Sequence, residues 1–249
     1  MVNIIAFIPA RGQSKSIPKK NIKELGGKPL IIYSIEVAQK CGLRTIVSTD
    51  DREIAGISYE KGAEVIIRPD NLAKDDTSMF EVLKHEIPKI EPKPDLILLL
   101  QPTNPFRKSI HIKAAISYLT KDLDKFDSII SVEKIPEEYN PYAMILENKR
   151  MVFRKLIGWK EKIQSWFTGE KYIKNLTGFP INQRILRRQD LPQAWLPTGD
   201  IYLFKTSNLK KGNIYGDEVM IMETEPSINI NTEADFLQAE EYLKCKENL

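Results

Sequence analysis

Four cations, Arg11, Lys15, Lys19 and Lys20, crowd one short loop in which Gly12, Ser14, Ser16 and Asn21 add small polar groups. Such a loop combines guanidinium and ammonium charge with backbone N–H donors, a combination that holds phosphate oxygens. An exposed basic loop that binds nothing would have the same composition. What favours anion binding is the segment just before it, Ile4-Ile5-Ala6-Phe7-Ile8, whose apolar residues read as a buried strand that Pro9 stops. Ligands of α/β sheets sit at the carboxyl ends of such strands. Neither GxxxxGK[ST] nor GxGxxG occurs, so the loop is not one of those two phosphate motifs. Arg11, Lys15 and Lys20 are the residues expected to hold phosphate oxygens, with Arg11 and Lys20 carrying any chemistry done there.

Other polar groups close later apolar runs. Thr49 and Asp50 follow Arg44–Ser48, and Arg68 follows Glu64-Val65-Ile66-Ile67. Gln101, Thr103, Asn104 and Arg107 follow Asp95–Leu100 in a loop stiffened by Pro102 and Pro105. A planar guanidinium at Arg68 suits phosphate or base oxygens. Plain alternatives stand beside each: a helix cap for Asp50 or Asp51, a surface ion pair for Arg68, a stiff structural loop for 101–107.

The elements needed to position these groups alternate. Strands are expected at 4–8, 44–50, 64–67, 95–100 and 127–132, with helices at about 30–38, after Asp51, from about 77 and at about 110–119. That rhythm predicts βαβ units and an α/β fold with a mostly parallel sheet. From Pro136 to Trp195 it breaks. All three tryptophans lie there, and Trp159, Ile163, Trp166 and Phe167 form an amphipathic helical stripe. Residues 149–188 hold eleven lysines and arginines against two acids, in a chain of net charge +3. We expect one domain over 1–249 with an inserted subdomain at 136–195. A strand returns over Thr198–Phe204, and a final helix capped by Thr232 runs to about Lys244.

Composition narrows the class. A chain of 249 residues, 42% hydrophobic and 29% charged, is ordinary for a soluble globular protein. Two cysteines without CxxC spacing and two histidines argue against a zinc site and for a reduced, cytoplasmic setting. No signal-like N-terminal pattern or membrane-length apolar run occurs, and the aromatics and cations form no recognised nucleic-acid motif. Neither a membrane nor a nucleic acid is therefore expected as partner.

The string Ala10-Arg11-Gly12-x-Ser14-Lys15-x-Ile17-Pro18-x-Lys20-Asn21 resembles the opening motif of the CMP-sugar synthetases, the acylneuraminate cytidylyltransferases and their relatives. Similar matches follow in order: Gly27-Lys28-Pro29-Leu30, Ser48-Thr49-Asp50, Arg68-Pro69 with Leu72-Ala73 and Asp75, Gln101-Pro102-Thr103-Asn104-Pro105, and Arg188-Gln189-Asp190-Leu191-Pro192. The resemblance implies a three-layer, Rossmann-like nucleotidyltransferase fold with a dimerisation insertion that closes a partner's site. It implies nucleotide contacts from Arg11, Ser14, Lys15, Lys20, Asn21, Arg68 and Ser78. Sugar contacts would come from Gln101, Thr103, Asn104, Arg107 and Gln189.

Two departures bear on metal. The family's Ile-Asp-Ile-Asp-Thr segment, whose aspartates hold Mg2+, reads Ile228-Asn229-Ile230-Asn231-Thr232 here, and Asp200 stands where a small neutral residue is usual. The expectation is a Mg2+ site built from Asp200 with Asn229 and Asn231 as neutral ligands. The function implied is CMP transfer from CTP to an acidic, sialic-acid-like keto-sugar with release of pyrophosphate, in a homodimer. The alternatives are a different acceptor or base, or a nucleotide-binding homologue with weak or no turnover.

Overall fold

The computed structural model describes residues 2–136, 139–140, 145–149, 171–175 and 192–247. The chain divides into two compact units, Met1–Glu133 with Pro197–Leu249, and Lys134–Leu196. In chain order the strands are β1 (Ile4–Pro9), β2 (Glu24–Leu25), β3 (Lys28–Pro29), β4 (Arg44–Thr49), β5 (Glu64–Ile67), β6 (Leu96–Leu99), β7 (Ser128–Lys134), β8 (Ile145–Lys149), β9 (Lys171–Asn175), β10 (Trp195–Lys205) and β11 (Val219–Glu223). The helices are α1 (Leu30–Lys40), α2 (Arg52–Glu60), α3 (Met79–Glu86), α4 (Ser109–Lys121) and α5 (Glu233–Glu247).

The main sheet has seven strands in the order β11-β7-β10-β6-β1-β4-β5. β1 pairs in parallel with both β4 and β6, and β4 with β5, while β10 runs antiparallel to β6. The sheet is therefore mixed but mostly parallel, as the alternation of apolar runs and helices requires.

Burial on both faces explains the unbroken apolar runs. In β1, Ala6 and Ile8 pack with Ile31 and Ile35 of α1 and Ile112 of α4, while Ile5 and Phe7 pack with Val82 and Leu83 of α3. Period two thus sends alternate residues to opposite layers. A third cluster joins Ile17, Leu25, Leu30, Ile230, Phe236 and Ala239, and so pins the basic loop to α5.

β1 ends at Pro9, which is itself the strand's last residue, and one further main-chain bond follows as Ala10 N donates to Ser48 O at 2.8 Å. α3 begins at Met79 because Ser78 caps it, accepting from Glu81 N while Glu81 reaches back to Ser78 N. In the smaller unit β8 and β9 form an antiparallel pair, and the Lys134 ammonium lies 5.9 Å from the Trp195 ring centre. The expected stripe at Trp159, Ile163, Trp166 and Phe167 lies outside the described residues.

Candidate functional site

The basic loop is fixed at several points. Ile17 is fully buried, and Asn21 Nδ2 donates to Arg11 O at 2.8 Å. Gly12 N donates to Asp50 Oδ1 at 3.0 Å, so this N–H belongs to the loop's own framework. A Cβ on Gly12 would lie 2.7 Å from Asp51 Cβ, so only glycine lets the loop approach so closely. Lys19 takes a left-handed φ of 50° and pairs with Glu53 at 2.6 Å, which turns its ammonium to α2. Asp51, not Asp50, caps α2, accepting from Glu53 N and Ile54 N. Thr49 Oγ1 accepts from Asp51 N.

Arg11, Ser14, Lys20 and Asn21 line a cleft of about 310 Å³ at the carboxyl end of β1. Arg68, Lys74, Asp75 and Thr77 form a second wall, and Gln101, Thr103, Asn229 and Asn231 a third. Four cations thus face one carboxylate among the described lining residues, a balance that favours an anion. The cleft is also of the size small ligands use.

The cations are already oriented. Arg11 Nη1 lies 2.5 Å from Asp75 Oδ1, and Lys15 Nζ 3.0 Å from Asp75 Oδ2. These contacts, Lys15 first, hold the Asp75 carboxyl below its ordinary range. Lys20 Nζ donates to Ile230 O at 3.0 Å, and burial followed by the charge of Arg11 lowers its proton affinity. Arg68 is buried and donates through Nε to Ser48 Oγ at 3.0 Å and through Nη2 to Ser48 O at 3.1 Å. Burial lowers its pKa while Glu86, fully buried nearby, pulls the other way.

The loop after β6 divides between lining and framework. Gln101 and Thr103 line the cleft; Asn104 and Arg107 do not. Asn104 Nδ2 donates to Thr198 O, Asp200 Oδ1 and Ser227 Oγ at 3.1–3.2 Å. Arg107 donates to Asp200 O at 2.6 Å, Ser34 Oγ at 3.0 Å and Gln101 O at 2.5 Å. Burial pushes its guanidinium down to about 10, with Asp200 pulling it up, so it stays cationic at neutral pH. These two residues position the loop rather than facing the cleft. Ser78 is likewise away from the cleft, committed to the cap of α3. Gln189 lies outside the described residues. Lys74 and Thr77 were not singled out from sequence; the pattern of a polar loop after β5 carries no signal for which members turn inward.

Mg2+ is the ion implied by the resemblance, and the described residues do not fit a protein-borne site for it. No group of three or more His, Cys, Asp or Glu among them could hold a metal. Asn229 and Asn231 do line the cleft, but Asp200 lies on an adjoining cavity of about 610 Å³, beside Lys108, Glu225 and Tyr242, with Asn229 lining both. Its Oδ1 accepts from Asn104 Nδ2 at 3.1 Å and Ser227 Oγ at 2.7 Å. Asp75 is taken by Arg11 and Lys15, and two neutral amides supply no charge.

A family model described as "Cytidylyltransferase" matches residues 5–151. The chain belongs to the cytidylyltransferase family. An N-acylneuraminate cytidylyltransferase of Escherichia coli is 41% identical to this chain over 133 residues, which is 53% of this chain and 31% of that protein. Its counterpart in Streptococcus agalactiae is 30% identical over 241 residues, covering 94% of this chain and 51% of that protein. The chain thus spans about half the length, or less, of these curated relatives. Among solved structures, a CMP:2-keto-3-deoxy-manno-octonic acid synthetase complexed with CTP superposes with a TM-score of 0.69 at 16% identity, covering 98% of this chain and 99% of that one. That likeness concerns the fold. It agrees with the α/β nucleotidyltransferase architecture expected from the sequence.

Proposed function

We propose that this chain transfers CMP from CTP to an acidic keto-sugar of the sialic-acid type, releasing pyrophosphate. The observation that carries the proposal is the cleft itself. Arg11, Lys20, Arg68 and Lys74 converge at the carboxyl end of β1 in a chain of the cytidylyltransferase family. The names of the relatives supply the base and the acceptor class.

In this reading the cleft cations hold the triphosphate, and a sugar hydroxyl attacks the α-phosphorus in line. A new P–O bond forms, the bond to the β-phosphate oxygen breaks, pyrophosphate leaves and the hydroxyl proton passes to water. No covalent enzyme intermediate is required. Such a reaction depends on positioning and on neutralising charge, and preset cations do both. Mg2+ enters only as the counter-ion that CTP brings with it. Gln101 and Thr103 are the groups nearest to hand for the acceptor. The working form is a homodimer built through residues 136–195, in a reducing cytoplasm that suits the free Cys41 and Cys245. Among the described residues no helix is long and apolar enough to cross a membrane.

The test is pyrophosphate release from CTP with a panel of acidic keto-sugars. CTP-dependent release with at least one of them is expected, and none with ATP, GTP or UTP. Release with another nucleotide in preference to CTP overturns the base assignment. CTP binding without release supports the second reading, a homologue that binds nucleotide but does not turn over, which the Asn229 and Asn231 amides favour. Sedimentation as a fully active monomer would reject the shared site.

A further inference from the structure

We infer that the ammonium of Lys20, held on the main-chain carbonyl of Ile230 between Asn229 and Asn231, is a built-in cation standing where a protein-bound divalent ion would have to sit, so that the cleft neutralises phosphate with its own side chains and carries no resident metal site. The inference rests on the nucleotide reading above.

The ammonium sits on a fixed support. Lys20 Nζ donates to Ile230 O at 3.0 Å, and Ile230 N donates to Thr103 O at 2.8 Å, so both main-chain groups of Ile230 are in use. Its side chain is fully buried in the cluster with Ile17 and Phe236. The flanking amides both line the cleft. Carboxylates at those two positions would pair with Lys20 and cancel it; amides leave its charge whole. Asn229 Oδ1 is buried and accepts no hydrogen bond, an oxygen left for a ligand's donor.

Among the described residues the acids near this ammonium already have partners, although Asp235 is close enough for its charge to favour the Lys20 ammonium. Asp235 Oδ2 accepts from Asn231 N at 2.9 Å and Thr232 N at 2.7 Å, which caps α5. Asp75 pairs with Arg11 and Lys15, and Asp200 belongs to the other cavity with Asn104 and Ser227. A divalent ion beside Lys20 would meet an ammonium, two neutral dipoles and carboxylates that already have partners of their own. Mg2+ ordinarily needs one or two carboxylates besides substrate phosphates.

Two measurements on the full chain test this. In the first, Mn2+ is titrated into nucleotide-free protein and free ion is followed by electron paramagnetic resonance. Wild type should leave the free-ion signal unchanged, whereas Asn229→Asp/Asn231→Asp should bind Mn2+ at least about tenfold more tightly. Asn231 is exposed, so Asn231→Asp alone serves if the double variant does not fold. Equal, tight Mn2+ binding by wild type overturns the inference. In the second, calorimetry compares CTP binding in EDTA and in Mg2+. Affinities within about threefold are expected, with both lost on Lys20→Met; a tenfold or greater loss in EDTA for wild type overturns the inference. Failure to bind CTP in either medium refutes the nucleotide reading instead, and the Mn2+ titration still decides the metal site.

Discussion

Arg11 Nη1 lies 2.5 Å from Asp75 Oδ1, so the residue best placed to receive a phosphate already holds a carboxylate. Lys15 holds the other oxygen of the same carboxylate. On the proposed function, Asp75 is an internal stand-in for the ligand's charge that a bound triphosphate would have to displace. Binding affinity then reflects the difference between the two anions on the same cations.

Two substitutions should therefore act in opposite directions. Arg11→Ala should weaken CTP binding by about 1.5–3 kcal/mol, the loss of a charge-assisted contact. Asp75→Asn should strengthen it, by about two- to fivefold at low ionic strength, with the gain shrinking as salt is added. Calorimetry on the two variants checks both. Weaker CTP binding in Asp75→Asn would mean that the carboxylate helps the ligand instead of competing with it.

Arg107 is a keystone of the framework, and its replacement should appear in stability. Its guanidinium joins α1 through Ser34, the loop after β6 through Gln101 and β10 through Asp200. Arg107→Met leaves these acceptors unsatisfied in a buried place and removes the positive neighbour of the Asp200 carboxylate. Urea unfolding should show a loss of about 3–5 kcal/mol. Arg107→Lys should recover only part of it, because an ammonium lacks the planar fork that reaches three elements. A stable Arg107→Met with altered ligand binding alone would return this residue to the binding surface.

Gly12 is required for space, not for an unusual φ. An alanine Cβ would stand 2.7 Å from both Cβ and Oδ2 of Asp51, and Asp51 cannot retreat without giving up the cap of α2. Gly12→Ala should cost about 1–3 kcal/mol and weaken CTP binding as the Asp50 contact is lost. The double variant Gly12→Ala/Asp51→Gly, which removes both the Cβ and the carboxylate in the way, should be less destabilised than the sum of the two single changes. Strict additivity in urea unfolding would remove the steric explanation.

What could be read from sequence, and what could not, follows from the range of the forces involved. Six strands of the seven-stranded sheet were legible from apolar runs such as Ile4–Ile8 and Leu96–Leu100, whereas β11, an edge strand with alternately exposed residues, was not. The anion cleft was legible in part, since Arg11, Ser14, Lys20, Asn21 and Arg68 all line it. The division of the 101–107 loop was not. Gln101 and Arg107 are equally polar, and only the contacts with Ser34 and Asp200, distant in sequence, decide that one faces the cleft and the other the framework. The orientation of Asp200 was equally hidden. Alternation along β10 gives it a side of the strand, but Asn104 and Ser227 from two other segments determine which cavity it serves. Asp75 pairing with Arg11 is a long-range contact of the same kind.

Glu86 supplies a prediction about pH. It ends α3 with no exposed surface, and its buried carboxyl oxygens lie beside the Ser48 hydroxyl without a well-formed hydrogen bond. Burial raises its pKa above the ordinary value of 4.5, while Ser48, Arg68, His85 and Lys89 pull it down by less. The sign follows from linkage. A carboxyl whose folded pKa is raised binds its proton more tightly in the folded state, so its contribution to stability is intact below the unfolded pKa. That contribution is lost as pH rises through the folded pKa. Glu86→Gln keeps the shape and never ionises. Its stability relative to wild type should therefore increase as pH rises from about 4, reaching a gain of about 1–3 kcal/mol, the cost of an unsatisfied buried group. Arg68 keeps its two bonds to Ser48 in the variant, so the cleft should stay intact and CTP affinity little changed. Urea unfolding of both proteins across pH 4–8 measures the difference directly. A difference that stays flat with pH would mean that Glu86 titrates alike in the folded and unfolded chains, and that its burial carries no electrostatic cost.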